Sequence, residues 1–339
     1  MHRQRGSQSP IRDQSAPSIV VPSVFMAVFI PLVLLRLFTR IVVVKSGLGW
    51  DDWATILLTV VLIPGNVMSI VLAHLGLGKD IWTIEFQNIT KLLYIFYIQE
   101  FLYVSAIAIT KLAFLFFYAS IFPTAHKMRW LIKGTGVVTI CYGVGCLFAF
   151  AFQCSPISFN WNGWDGEHAG TCVKKNDLIM AAGIINVVLD AWVIALPIPA
   201  LMKLQMSTGR KLQIISMFSL GFLITGISSY RVAMLKIFAT SSNATWDHAT
   251  PGFWSLAEVD VGLVCLCLPP IRPLLSHYFP KVFGSRPAGS SRTLTGPQSV
   301  GPKTKRGELE LGSNSNNGGS FVQLIDMDKG NGKVYGSGY

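Results

Sequence analysis

Seven apolar stretches separated by short polar ones govern what this chain can fold into. They run over Ser18–Val44, Trp53–Leu75, Leu92–Phe122, Gly134–Phe152, Leu178–Met202, Leu212–Ala239 and Phe253–Leu275. Each meets or approaches the ~20 residues that a helix rising ~1.5 Å per residue needs to cross a bilayer. Water cannot solvate seven such helices, because 51% of the residues are hydrophobic and 13% charged, too few polar side chains to coat the outside. The sequence predicts an all-α fold, a seven-transmembrane helix bundle in contact with the lipid bilayer. A net charge of +11 does not point to a nucleic-acid partner. Most of the basic residues lie in loops and tail with no recognition motif around them.

The distribution of Lys and Arg selects an orientation. With the C-terminus cytoplasmic, the inner loops and near tail hold eleven (Arg40, Lys45, Lys127, Arg129, Lys133, Lys203, Arg210, Lys211, Lys281, Arg286 and Arg292), and the outer loops hold four (Lys79, Lys91, Lys174 and Lys175). Arg3, Arg5 and Arg12 in the N-tail reduce the bias to eleven against seven. The expected topology is N-terminus outside and C-terminus cytoplasmic, in a multi-pass protein of the plasma membrane rather than an internal membrane. Two sequons, at Asn88 and Asn243, fall in loops expected on the outside, where glycosylation occurs. Cys154 and Cys172 bracket the longest outer loop and are expected to form a disulfide in that oxidising compartment. Cys141, Cys146, Cys265 and Cys267 lie within spans and serve as packing residues. Residues 1–17 read as a short polar N-tail without a cleavable signal peptide, 18–283 as the membrane domain, and 284–339 as a disordered cytoplasmic tail too poor in apolar residues to fold.

Ionisable side chains inside a bilayer are costly and mark function or helix-locking pairs. Counting from the outer helix ends, Glu100 and Arg231 lie ~12 Å deep, Glu258 ~8 Å and Asp260 ~10 Å. Asp190 lies near the midplane, four residues after Asn186 and on the same helical face. Glu100, Asp190, Arg231, Glu258 and Asp260, with Tyr97 and Trp254 at the outer helix ends, are candidates to line a ligand cavity. The competing expectations are ion pairs that lock helices, and interfacial aromatics. A second layer sits at the cytoplasmic end. Arg36 and Arg40 close the first span, Asp51 and Asp52 open the second, and Lys111 lies in the inner third of the third. Asp51 and Asp52 suit a helix N-terminus. Arg40, Asp51, Asp52 and Lys111 are also candidates for a latch, joining Asp52 to Lys111 or Arg40, that differs between two packings. Pro64, Pro197, Pro199, Pro269, Pro270 and Pro273 predict kinked helices.

Several chemistries find no support. The stretch from Pro251 to Pro280 contains no lysine for a retinal Schiff base. There is no zinc-like Cys/His spacing, phosphate loop or nucleophile elbow, so no metal site, cofactor or enzymatic activity is expected. No convincing internal repeat supports a repeat-built transporter.

In this order, several motifs resemble the fungal rhodopsin-like domain family, seven-helix membrane proteins that include the pathogenesis-related receptor-like group. They are Gly49-Trp50-Asp51-Asp52, Lys111 with Tyr118 and Phe122, Phe152-Gln153-Cys154-Ser155-Pro156 with Cys172, and Asp190 with Ala195-Leu196-Pro197. Ser229 with Arg231, Trp254, Glu258 and Leu268-Pro269-Pro270 complete the set. The likeness covers about Ser18 to Phe283 and implies a rhodopsin-like helix arrangement without retinal. Two departures stand out: Ser120 occupies a place that is often Arg in the family, and the N-tail lacks the cysteine-rich domain of some receptor-like members. The combined expectation is a receptor-like protein that senses an unknown small-molecule or surface-derived ligand and signals to a cytoplasmic partner. The alternatives are a proton-coupled transporter that uses Glu100, Asp190, Arg231 and Glu258, and a membrane-embedded accessory protein without a ligand.

Overall fold

A computed structural model describes residues 13–45, 47–121, 126–199, 219, 221–234, 244–247 and 249–278. The long helices are α1 (Ser15–Phe38), α2 (Trp50–Leu75), α3 (Phe86–Ile121), α4 (His126–Ala151), α6 (Lys175–Ala195) and α9 (Ala249–Tyr278). Short helices α5 (Phe159–Asn162) and α8 (Ala244–Asp247) lie between them, and residues 221–234 form α7. Among the described residues six helices are long and apolar enough to cross a membrane. The sixth predicted span, Leu212–Ala239, is described only at 219 and over 221–234.

The helices overrun the apolar stretches at their starts. α3 begins at Phe86 and α4 at His126 rather than at Leu92 and Gly134, because backbone hydrogen bonding continues into the polar boundary after apolarity ends. The Asp13 carboxylate accepts bonds from the Ser15 hydroxyl (2.6 Å) and the Ser15 N–H (2.8 Å) at the head of α1. These bonds hold its pKa below the usual carboxylate range. At the head of α2, Asp52 Oδ2 accepts the Gly49 N–H at 3.0 Å. A π-helical stretch, Thr39–Val44, ends α1 and carries Arg40.

The side-chain pattern is inverted relative to a water-soluble protein. Val24, Leu34, Val60, Val137, Phe148 and Val188 face outward, whereas Arg36, Asp52, Asn66, Asn186 and Asp260 are fully buried. Only a solvent as apolar as the outward side chains makes that arrangement favourable, so the bundle is solvated by lipid. An apolar core joins α1, α2, α3 and α9 through Phe29, Leu58, Leu62, Ile107 and Leu263. α3 and α4 approach closely where Gly143 faces Ala108, since a Cβ there would lie 2.9 Å from the Ala108 Cβ.

One end of the bundle is tied across the chain. Gly78, with a φ of 90°, donates to Thr245 O (3.1 Å) and accepts from Gln14 N (2.9 Å). A Cβ there would meet the Gln14 backbone at 2.8 Å, so glycine is required both for φ and for space. At the same end β1 (Cys154–Ser155) pairs antiparallel with β2 (Thr171–Cys172), and a disulfide links Cys154 to Cys172.

Candidate functional site

Opposite charges and hydrogen-bonding groups meet inside the bundle in four places. Away from the disulfide end, Arg36 on α1 reaches both acidic residues of α2, with Nη2 2.7 Å from Asp51 Oδ2 and Nε 2.9 Å from Asp52 Oδ1. Its Nη1 donates to the Leu266 carbonyl of α9. That carbonyl is available for a local reason: the residue four positions on is Pro270, which has no N–H to offer it. Arg36 thus replaces a missing helical hydrogen bond and ties three helices together. Arg40 adds a 2.8 Å bond to Asp51 Oδ2, so two cations balance two carboxylates. Lys111 is not part of this cluster. Its ammonium bonds Asp190 on α6, so of the two partners expected for Asp52 the Lys111 alternative is corrected, whereas Arg40 does lie beside Asp52, with Nε 3.6 Å from Oδ2. A lysine stem spans several ångströms and carries its charge well away from the depth of its own Cα.

That pair belongs to a central network. Asn186 Nδ2 donates to Asp190 Oδ2 (3.3 Å) and Glu258 Oε1 (2.7 Å), and Ser228 Oγ donates to Asp190 Oδ2 (3.1 Å). Tyr103 donates to Glu258 Oε2 at 3.1 Å, and Arg231 Nε lies 3.4 Å from the same oxygen. The Arg231 guanidinium also sits 5.0 Å from the centre of the Tyr103 ring. Two carboxylates and two cations therefore balance on α3, α6, α7 and α9. Asp260 stands apart and accepts from Asn66 Nδ2 of α2 at 3.0 Å. Trp254 packs edge-to-face on Tyr230 (5.2 Å) and lines neither of the cavities described next.

Among the described residues, two cavities lie at the disulfide end. An outer vestibule of about 280 Å³ is bounded by Tyr97, Trp164 and Lys175 among others. A deeper chamber of about 120 Å³ reaches Tyr103, Arg231 and Ser255. Leu77, Phe96, Glu100 and Ile179 line both and make up the wall they share, the neck. Glu100 accepts a 3.1 Å bond from Gln153 Nε2 at this neck. The disulfide-closed loop roofs the vestibule. Trp164 stacks on Phe86 (5.9 Å) and donates to Thr90 Oγ1 (2.9 Å), and Trp161 contacts Tyr94 (5.2 Å) and Tyr97 (5.5 Å). Tyr97 donates to the Ala151 carbonyl at 3.2 Å.

Of the two sequons, Asn88 lies in the first turn of α3 and is half-buried rather than in an exposed loop. Its Thr90 is engaged by Trp164, because helix α3 starts before its apolar stretch does. Asn243 lies outside the described residues. The sequence reading overlooked Asn66, Gln99, Ser228 and the Leu266 carbonyl. The first three are polar residues in apolar spans, and the fourth was signalled by Pro270.

A lipid-solvated, all-helical, multi-pass bundle with a polar interior and a cavity at one end defines a class of polytopic membrane protein. The chain belongs to the fungal rhodopsin domain family, whose model matches residues 35–277. It is similar to a protein named Receptor GIN3 from Arthrobotrys oligospora, 24% identical over 62% of this chain and 51% of that protein. A SAT4 family membrane protein of Emericella nidulans is 26% identical over 70% of this chain and 63% of its own length. The polyenoic acids biosynthesis gene cluster protein Ba17b of Metarhizium anisopliae is 28% identical over 79% and 77%. The chain thus spans about half to two thirds of the first two relatives. No solved structure matches it.

Proposed function

We propose that this chain is a seven-span, receptor-like protein of the plasma membrane, with the disulfide end outside and the C-terminus cytoplasmic, that senses a small ligand in the joined cavities. The observation that carries this reading is the chamber floor. Arg231 and Tyr103 line the chamber and also hold Glu258, which Asn186 couples to Asp190 and Lys111. A ligand that draws on either floor residue shifts the balance among four helices, which is the bistable element a receptor needs. The excess of Lys and Arg in the opposite loops supports the orientation. A receptor named among the relatives supports the class.

A second reading rests on the biosynthesis-cluster relative: a membrane transporter or accessory protein working beside a metabolic pathway. Purified chain in sealed proteoliposomes separates the readings. A compound that stabilises the wild-type protein but not the chamber-filling Ser255→Phe variant, without being accumulated, supports sensing. Proton-driven accumulation abolished by Glu258→Gln identifies a transporter. Absence of any Ser255-dependent binding favours the accessory role.

A further inference from the structure

We infer that the neck between the two cavities is a recognition site for an organic ammonium group attached to an apolar body, a ligand class that rests on the cavity-sensing reading above. The hydroxyl donors around the chamber are already committed, and Arg231 Nε, which makes no hydrogen bond among the described residues, is held by charge against Glu258. The hydroxyls of Ser69, Tyr103, Tyr142 and Ser255 donate to Ser18 O, Glu258, Ala182 O and Pro251 O.

Neutral amide acceptors are left over beside Glu100. Gln99 Oε1 and Gln153 Oε1 are buried without a hydrogen-bond partner among the described residues, and Gln153 is only 2% exposed. Buried acceptors of this kind are costly unless a ligand or water supplies the donor. Glu100 follows Gln99 in the chain, is bonded to Gln153 and lines both cavities, sharing the chamber with Gln99 and the vestibule with Gln153. Among the described residues it forms no ion pair. Lys175 shares the vestibule and is close enough to feel the Glu100 charge, yet makes no salt bridge with it. A carboxylate with two orphaned amide oxygens nearby suits an ammonium, which offers up to three donors and a positive charge. Phe96 supplies ring surface at the neck, with Tyr97 on the vestibule side and Tyr103 on the chamber side, which suits both the cation and its apolar body. An anionic ligand would instead place its charge against Glu100.

The test uses the full chain in nanodiscs with three matched probes: 2-phenylethylamine, 2-phenylethanol and 3-phenylpropanoate, titrated at pH 7 by calorimetry. The amine is expected to bind at least tenfold more tightly than the other two. Glu100→Gln should remove most of that preference, Ser255→Phe should abolish binding, and Lys175→Met, which removes the competing cation of the vestibule, should tighten amine binding. Should Glu100→Gln fail to fold, Gln99→Leu, which leaves the Glu100–Gln153 bond intact, is expected to weaken amine binding several-fold. If the alcohol or the acid binds as well as the amine, and Ser255→Phe still abolishes it, the ammonium inference falls while cavity sensing stands. If the amine binds only in Lys175→Met, Lys175 is the resident counter-ion and the inference falls for the natural chain. If no probe binds in a Ser255-dependent way, both fall.

Discussion

Arg36 binds two buried carboxylates and a carbonyl on two other helices, and its partners predict what its loss does. Replacing it with Leu leaves Asp51 and Asp52 in the interior with only Arg40 to balance them and strips the Leu266 carbonyl of its donor. Breaking a buried pair from one side costs about 3–5 kcal/mol, so a large drop in melting temperature is expected in detergent. Arg36→Lys should not rescue it, since one ammonium cannot span two carboxylates and a carbonyl on three helices. At the centre, Lys111→Met and Asp190→Leu are each expected to destabilise strongly. The double variant should cost clearly less than the sum of the two, because it removes both charges of one pair. Simple additivity of the melting data would contradict direct pairing. At this scale sequence depth put Arg231 and Glu258 in one layer of the bundle, where they pair, but did not place Lys111 beside Asp190. Depth along a straight rod gives neither the azimuth of a helix that is apolar on most faces nor the reach of a flexible lysine stem.

The elements divide into an apolar-walled bundle and a stapled cap. Cys154 and Cys172 are separated by 18 residues, and closing a loop of that size contributes about 3 kcal/mol by chain entropy. Cys154→Ser is therefore expected to loosen the Trp161 and Trp164 contacts that roof the vestibule. Limited proteolysis should detect faster cleavage between 161 and 172, with the helices still protected. Between helices, Gly143→Leu places a side chain where even a Cβ would lie 2.9 Å from Ala108. Separation of α3 and α4 should follow, read as lost thermal stability, whereas a substitution at Gly145, whose Cβ meets nothing within 4 Å, should be tolerated. The helices themselves were legible from apolar length alone. Their starts were not, because helical hydrogen bonding runs past the hydrophobic stretch into the boundary region, and this is what moved Asn88 from a loop into α3.

For the whole molecule, the inverted distribution of apolar and polar side chains was legible in the sequence, since charges inside apolar spans leave no other way to bury them. The cavities were less so. A neck formed by residues from the α2–α3 turn, α3 and α6 depends on helix rotation and on how the loop between α4 and α6 folds back, and no local pattern encodes either. Gln99 shows this well: an isolated glutamine in an apolar span signals a polar interior without saying which side of the helix it serves. The central claim is that the joined cavities open at the disulfide end and that this end faces out of the cell. Ile179 lines both cavities, so the most direct measurement places a cysteine there, in a chain carrying Cys141→Ala and Cys146→Ala, and applies a membrane-impermeant maleimide to intact cells. The account predicts that Ile179→Cys is labelled from outside, whereas Lys45→Cys at the opposite end is labelled only after permeabilisation. Labelling of Lys45→Cys in intact cells, or protection of Ile179→Cys from the reagent on either side, would contradict it.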